Sequence, residues 1–90
     1  MIARQVFYEG RVQGVGFRYT VRQIATGFDI NGWIRNEPDG RVELLAAGFP
    51  VEVIDFLQAI RDSDLAGFIR KEIIHEIPFP SGLHGFEITR

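Results

Sequence analysis

Cysteine is absent from these 90 residues. That excludes disulfides, thiolate metal ligands and cysteine nucleophiles, and it fits a reducing cytosol. Long apolar runs are also missing. No stretch approaches the ~18 residues of a membrane helix. Arg4, Glu9 and Arg11 interrupt the first apolar segment early, so a secretory signal is not expected. Positive charge is in short supply: Lys and Arg number 10 against 12 Asp and Glu, for a net charge of -2. Such a balance disfavours bulk nucleic-acid binding. Internal repeats, low-complexity segments and linkers are absent too. The expectation is one domain, residues 1–90, with one core to which eight Phe contribute.

What is present reads as alternating strands and helices. Ile2 to Arg11 is β-branched and aromatic, a first strand. Phe17, Val21, Ile24, Ala25 and Phe28 recur at helical spacing, and Gly27 closes that helix. Gly32 to Asn36 reads as a second strand and Glu37 to Gly40 as a turn, with Pro38 presetting φ. Arg41 to Ala47 returns as a third strand. Val53, Phe56, Leu57 and Ile60 mark a second helix with Pro50 near its start. Gly67 to Ile77 is a fourth strand, Pro78 to Gly85 a loop, and "FEIT" a short edge strand. The order β-α-β-β-α-β is the split βαβ pattern of a ferredoxin-like α+β sandwich. Its sheet is mainly antiparallel, with four to five strands and both helices on one face. In that topology the first and second strands run parallel with the third between them. Their C-terminal ends, hence the loop to Arg18 and Asn36, share one edge of the sheet.

The segment "GRVQGVGFR", Gly10 to Arg18, joins a strand to a helix N-terminus. Helix N-termini leave backbone N–H groups unpaired. Glycines allow that backbone to curl into a nest, and the helix dipole adds partial positive charge. The result is an anion site suited to phosphate. Arg18 stands at its mouth with a planar fork for phosphate or carboxylate oxygens. The bland alternative is a glycine-rich turn with a surface arginine. A Walker loop would need a Lys-Ser/Thr ending, and Gly14-Val15-Gly16 supplies only half of a dinucleotide fingerprint. "GVGFRY" resembles the aromatic RNA motif of a related sandwich, but there the motif lies on the third strand.

"GRVQGVGFR" followed by "GWIRNEPDGRVELLAAG" resembles the two signatures of the acylphosphatases, small ferredoxin-like enzymes. The likeness spans Val6 to Gly48, with the motifs at the family's usual separation. It implies hydrolysis of a small-molecule acyl phosphate to a carboxylate and inorganic phosphate. It implies that the loop of Gln13, Gly14, Val15, Gly16, Phe17 and Arg18 cradles phosphate. Arg18 is then the essential phosphate ligand, and Asn36 positions the attacking water. Inorganic phosphate is expected as product and competitive inhibitor. A cofactor, a metal, a nucleic-acid partner and a membrane are not expected, and the protein is read as a cytoplasmic monomer. Two departures stand out: "DSDLAGFIRKEI" lacks the Gly-Pro step common before the fourth strand, and Arg90 stands where an aromatic is common.

The chemistry needs few residues. Phosphoryl transfer rests on positioning and electrostatics. The leaving carboxylate, of pKa roughly 4–5 by analogy with Asp and Glu, departs without a general acid. The rival reading is a non-catalytic anion-binding or regulatory module, which would have no reason to keep both Arg18 and Asn36. RNA binding through the sheet face is a third. His75 and His84 are lone histidines without a second ligand at metal spacing. Asp39 is read as a turn residue, Asn31 likewise. Trp33 is read as a packing residue, with a place in the wall of the site as the alternative, and Glu9 and Glu43 are read as partners of Arg11 or Arg41. Arg11, Arg22 and Arg35 raise local potential without a motif role.

Overall fold

The structure, a computed structural model, describes residues 1–90. Strand β1 (Ile2–Gly10) leads to helix α1 (Phe17–Ala25), then β2 (Ile30–Asn36), β3 (Val42–Gly48) and helix α2 (Pro50–Arg61). A short 3-10 helix (Asp64–Phe68) precedes β4 (Ile69–Ile77), and β5 (Phe86–Ile88) comes last. The five strands form one sheet in the order β4-β1-β3-β2-β5. Only the β2–β5 pairing is parallel. The expected ferredoxin-like arrangement is met, with a fifth strand on the edge beside β2.

Alternation along the strands separates two faces. Val6 and Tyr8 of β1 stand in register with Leu44 and Val42 of β3, and Leu44 in turn with Ile34 of β2. These residues share a core with Phe17, Val21 and Ala25 of α1 and Val53, Phe56, Leu57 and Ile60 of α2. Both helices therefore cover the same face. Burying a Phe or Leu fully is worth about 1.5–3 kcal/mol, and this row of side chains holds α1 against the sheet.

The opposite face is less open than a one-sided sheet suggests, since every residue of β3 is buried. Glu43 is only 3% exposed. It accepts from Gln5 Nε2 at 2.7 Å and from Arg35 Nε at 2.9 Å. Burial opposes its charge, but hydrogen bonds from Gln5, Glu37 and Arg35 outweigh that and hold its carboxyl below the ordinary range. The hydrogen bond to Glu43, together with burial, pushes Glu37 above it. Arg41 instead pairs with Asp39 at 2.8 Å. Glu43 thus pairs with Arg35 and not with Arg11 or Arg41.

The starts of β2 and β4 differ from the sequence reading. Strand β2 starts at Ile30, so Asn31 lies in the strand and is not a turn residue. Its Oδ1 accepts the Gly85 N–H at 2.7 Å and ties down the approach to β5. Trp33 alternates away from Ile34 onto the sheet face without helices, where Arg35 stacks over it at 4.7 Å. Gly67 and Phe68 belong to the 3-10 helix and not to β4. Ser63 caps that helix by accepting the Leu65 N–H, and buried Leu65 plugs it into the core. This turn makes the connection without a Gly-Pro step.

Candidate active site

The glycine loop is anchored at both ends and exposed between them. At its start the Arg11 N–H donates to Phe68 O at 3.0 Å. The chains meet closely there: a Cβ on Gly10 would lie 2.2 Å from Phe68 O. Val12 is buried. At the far end Phe17, the first residue of α1, is buried with its ring 5.3 Å from that of Tyr8.

Between these anchors the backbone alternates in handedness. Gly14 has φ 77° and Gly16 φ 75°, whereas no other residue type takes positive φ anywhere in the chain. Left-handed and right-handed residues in turn are the geometry of an anion nest. Added Cβ atoms at Gly14 and Gly16 would meet nothing within 4 Å. Glycine is therefore required there by conformation and not by space.

Helix α1 begins unusually bare. Its N-cap is Gly16, no side chain caps it, and its first turn holds no acidic residue. Helices ordinarily place Ser, Thr, Asp or Asn there. No backbone N–H from Gln13 to Arg18 donates to a protein acceptor; the first to do so is Thr20, on Gly16 O at 3.1 Å. Such a run of free donors at the positive end of a helix suits an anion. Arg18, on the first turn and half-buried, forms no ion pair. Arg4, Arg35, Arg41 and Arg61 each have a carboxylate partner.

The loop touches the β2–β3 hairpin through Gln13. Its Nε2 donates to Glu37 O at 2.8 Å and to Arg41 O at 2.9 Å, one carbonyl on each flank of the turn. Asp39 shapes that turn by accepting the Arg41 N–H at 3.1 Å. The loop and the end of β2 are neighbours, as the topology required. Gln13 thus has its side chain committed to the hairpin and leaves only its backbone N–H to face a ligand.

Asn36 ends β2, opposite Val42. It continues the row of Ile30 and Ile34 on the helix-covered face. Its Oδ1 is buried and has no hydrogen-bond donor. An unsatisfied buried acceptor costs about 1–3 kcal/mol. No three His, Cys, Asp or Glu side chains gather closely enough to hold a metal. His75 lies on β4, its ring edge-on to Phe7 at 6.2 Å.

Fold and site together define a small α+β sandwich with a run of free N–H donors at a strand–helix junction. Comparison with known proteins carries this further. The acylphosphatase family model matches residues 4–88. An acylphosphatase of Nostoc sp. is 40% identical over 90 residues, covering all of this chain and 88% of that protein. The crystal structure of acylphosphatase from Bacillus subtilis superposes with a TM-score of 0.90 at 34% identity, each chain covered completely. That of an acylphosphatase from Coxiella burnetii has a TM-score of 0.84 at 26% identity, covering 98% of this chain and 92% of its own. The chain belongs to the acylphosphatase family.

Proposed function

We propose that Arg18 and Asn36 carry the reaction of this acylphosphatase, the hydrolysis of an acyl phosphate to a carboxylate and inorganic phosphate. The phosphoryl oxygens rest on the N–H groups of Gln13, Gly14, Val15, Gly16, Phe17 and Arg18, with the Arg18 guanidinium gripping them from the side. Charge that spreads over the equatorial oxygens during transfer meets donors already in place. A water held by the Asn36 side-chain amide directs a lone pair at phosphorus, in line with the departing oxygen. The new P–O bond forms as the bond to the acyl oxygen breaks. The carboxylate leaves as an anion, and the water proton passes to a phosphoryl oxygen. The observation that carries this reading is the run of free N–H donors along the loop, which the Gln13 bonds to Glu37 O and Arg41 O hold beside the end of β2.

The test is steady-state hydrolysis of benzoyl phosphate, followed by its ultraviolet absorbance. Turnover with competitive inhibition by inorganic phosphate is expected. The nest and Arg18 supply the positive potential, so the enzyme works without a metal. After exhaustive dialysis, assay in excess EDTA should leave kcat unchanged. A loss restored by Mg²⁺ or Zn²⁺ would show the site to be misassigned. All the groups invoked come from one chain of 90 residues, which acts as a single domain and a monomer. Its cysteine-free sequence suits the cytoplasm.

Gln13 acts through its two carbonyl bonds, holding loop and hairpin in register. Gln13→Ala removes both, each worth about 0.5–1.5 kcal/mol. We expect a Tm lowered by several degrees or more, at roughly 4–8 °C per kcal/mol for a domain of this size, and a kcat lowered about tenfold, since misplacement of reacting groups is costly to rate. The loss should be much smaller in an Asn36→Ala background, because the two substitutions disturb one arrangement. Fully additive losses would separate Gln13 from the water.

A further inference from the structure

The middle strand carries a buried carboxylate that the proposed reaction leaves unused. Glu43 of β3 is only 3% exposed. Its register partners are Phe7 of β1 and Arg35 of β2. Gln5 Nε2 donates to its Oε2 at 2.7 Å. Arg35 donates to its Oε1 twice, through Nε at 2.9 Å and Nη2 at 2.8 Å. Strand β1 runs into the glycine loop, and β2 ends on Asn36. One carboxylate thus fastens together the two strands that carry the site.

Glu43 also grips the chain on both sides of Asn36. Arg35 precedes that residue and Glu37 follows it. Glu37 joins Glu43 by a hydrogen bond between their carboxyl groups, and its Oε2 lies 3.6 Å from Arg35 Nε. The main chain of Glu37 is held as well. Its carbonyl accepts from Gln13 Nε2 at 2.8 Å, and its N–H donates to Arg41 O at 2.8 Å. Glu37 is therefore the residue at which the glycine loop and the buried carboxylate meet. No hydrogen bond from the protein fixes the Oδ1 of Asn36. Where that amide stands depends on the backbone that Arg35 and Glu37 hold.

We infer that Glu43 is a positioning residue for the hydrolysis: by holding Arg35 and Glu37, it sets where the Asn36 amide stands relative to the glycine loop. This rests on the water-positioning role of Asn36 proposed above and adds the group that maintains it. A buried carboxylate suits the task. Its charge-assisted bonds are roughly twice as strong as neutral ones, and little water reaches its oxygens to compete for their partners.

Glu43→Gln tests it, since the substitution keeps the shape and removes the charge. Benzoyl phosphate hydrolysis, the inhibition constant of inorganic phosphate and a thermal melt are measured for Glu43→Gln, for Arg35→Gln, and for each combined with Asn36→Ala. Alone, each should lower kcat about tenfold, the cost of a small misplacement of reacting groups. The phosphate inhibition constant should stay within about twofold, because the nest and Arg18 are untouched. In the Asn36→Ala background each should change kcat by less than about twofold, because the amide being positioned is gone. A lowered Tm with normal kcat in the folded fraction would make Glu43 merely structural and overturn the inference. So would a phosphate inhibition constant that rises in step with the loss of rate, or a full loss in the Asn36→Ala background. Arg35 is half-buried, so Arg35→Gln carries the test should Glu43→Gln fail to fold. An Asn36→Ala protein as fast as the wild type would refute the water-positioning reading itself. A slow Asn36→Ala protein beside normal Glu43→Gln and Arg35→Gln proteins would refute only the role of Glu43.

Discussion

Arg18→Ala should lower kcat by roughly 10³–10⁵, the range for an arginine placed on a transferring phosphoryl group, and should weaken inorganic phosphate binding with it. The two fall together because the guanidinium meets oxygens present in substrate, product and transition state alike. Nothing in the protein competes for Arg18, which forms no ion pair, so its loss leaves no carboxylate stranded and the fold should persist. Arg18→Lys should recover little, since a point charge does not reproduce a planar fork. The checks are kcat, the phosphate inhibition constant and a thermal melt. Near-normal activity in a folded Arg18→Ala protein would remove the mechanism's main support.

Asn36→Ala should behave differently. We expect kcat to fall by roughly 10²–10³, or about 2.7–4 kcal/mol, if the lost hydrogen bond resembles a lost oxyanion donor. Phosphate affinity should be nearly unchanged, because the nest and Arg18 remain. Stability should be equal or higher, since the substitution deletes a buried amide oxygen that has no donor. A residue that slows catalysis while it penalises the fold is the signature of function over structure. Loss of phosphate affinity in proportion to rate would instead make Asn36 a phosphate ligand. Asn31→Ala is the control: it removes the bond to the Gly85 N–H and should lower Tm while sparing kcat.

The glycine loop was legible in the sequence because its demands are local. Gly14 and Gly16 need positive φ, and only glycine adopts it freely. A glycine N-cap followed by Arg18 announces a helix start prepared for an anion. The helices were legible from the spacing of Phe17, Val21 and Ala25 and of Val53, Phe56, Leu57 and Ile60. Asn31-Gly32 misled because Asn-Gly is a turn dipeptide. In the structure Gly32 sits inside β2, where a Cβ would lie 1.8 Å from Leu45 O. It is glycine because two backbones approach, which only the tertiary structure reveals. The sequence offers Arg11 or Arg41 as the partner of Glu43. Its burial depends on Gln5 and Arg35 from two neighbouring strands, a register no local pattern encodes. The role of the Gln13 side chain was hidden for the same reason: its acceptors, Glu37 O and Arg41 O, lie 24 and 28 residues away. Pairing rules decide such contacts only once strand order is known.

The most direct measurement is hydrolysis of benzoyl phosphate by the purified protein in water enriched in heavy oxygen, with both products analysed by mass spectrometry. Attack by a water held on Asn36 at phosphorus places the label in inorganic phosphate and leaves benzoate unlabelled. Label in benzoate would mean attack at the acyl carbon. Either that result or an absence of turnover would contradict the account.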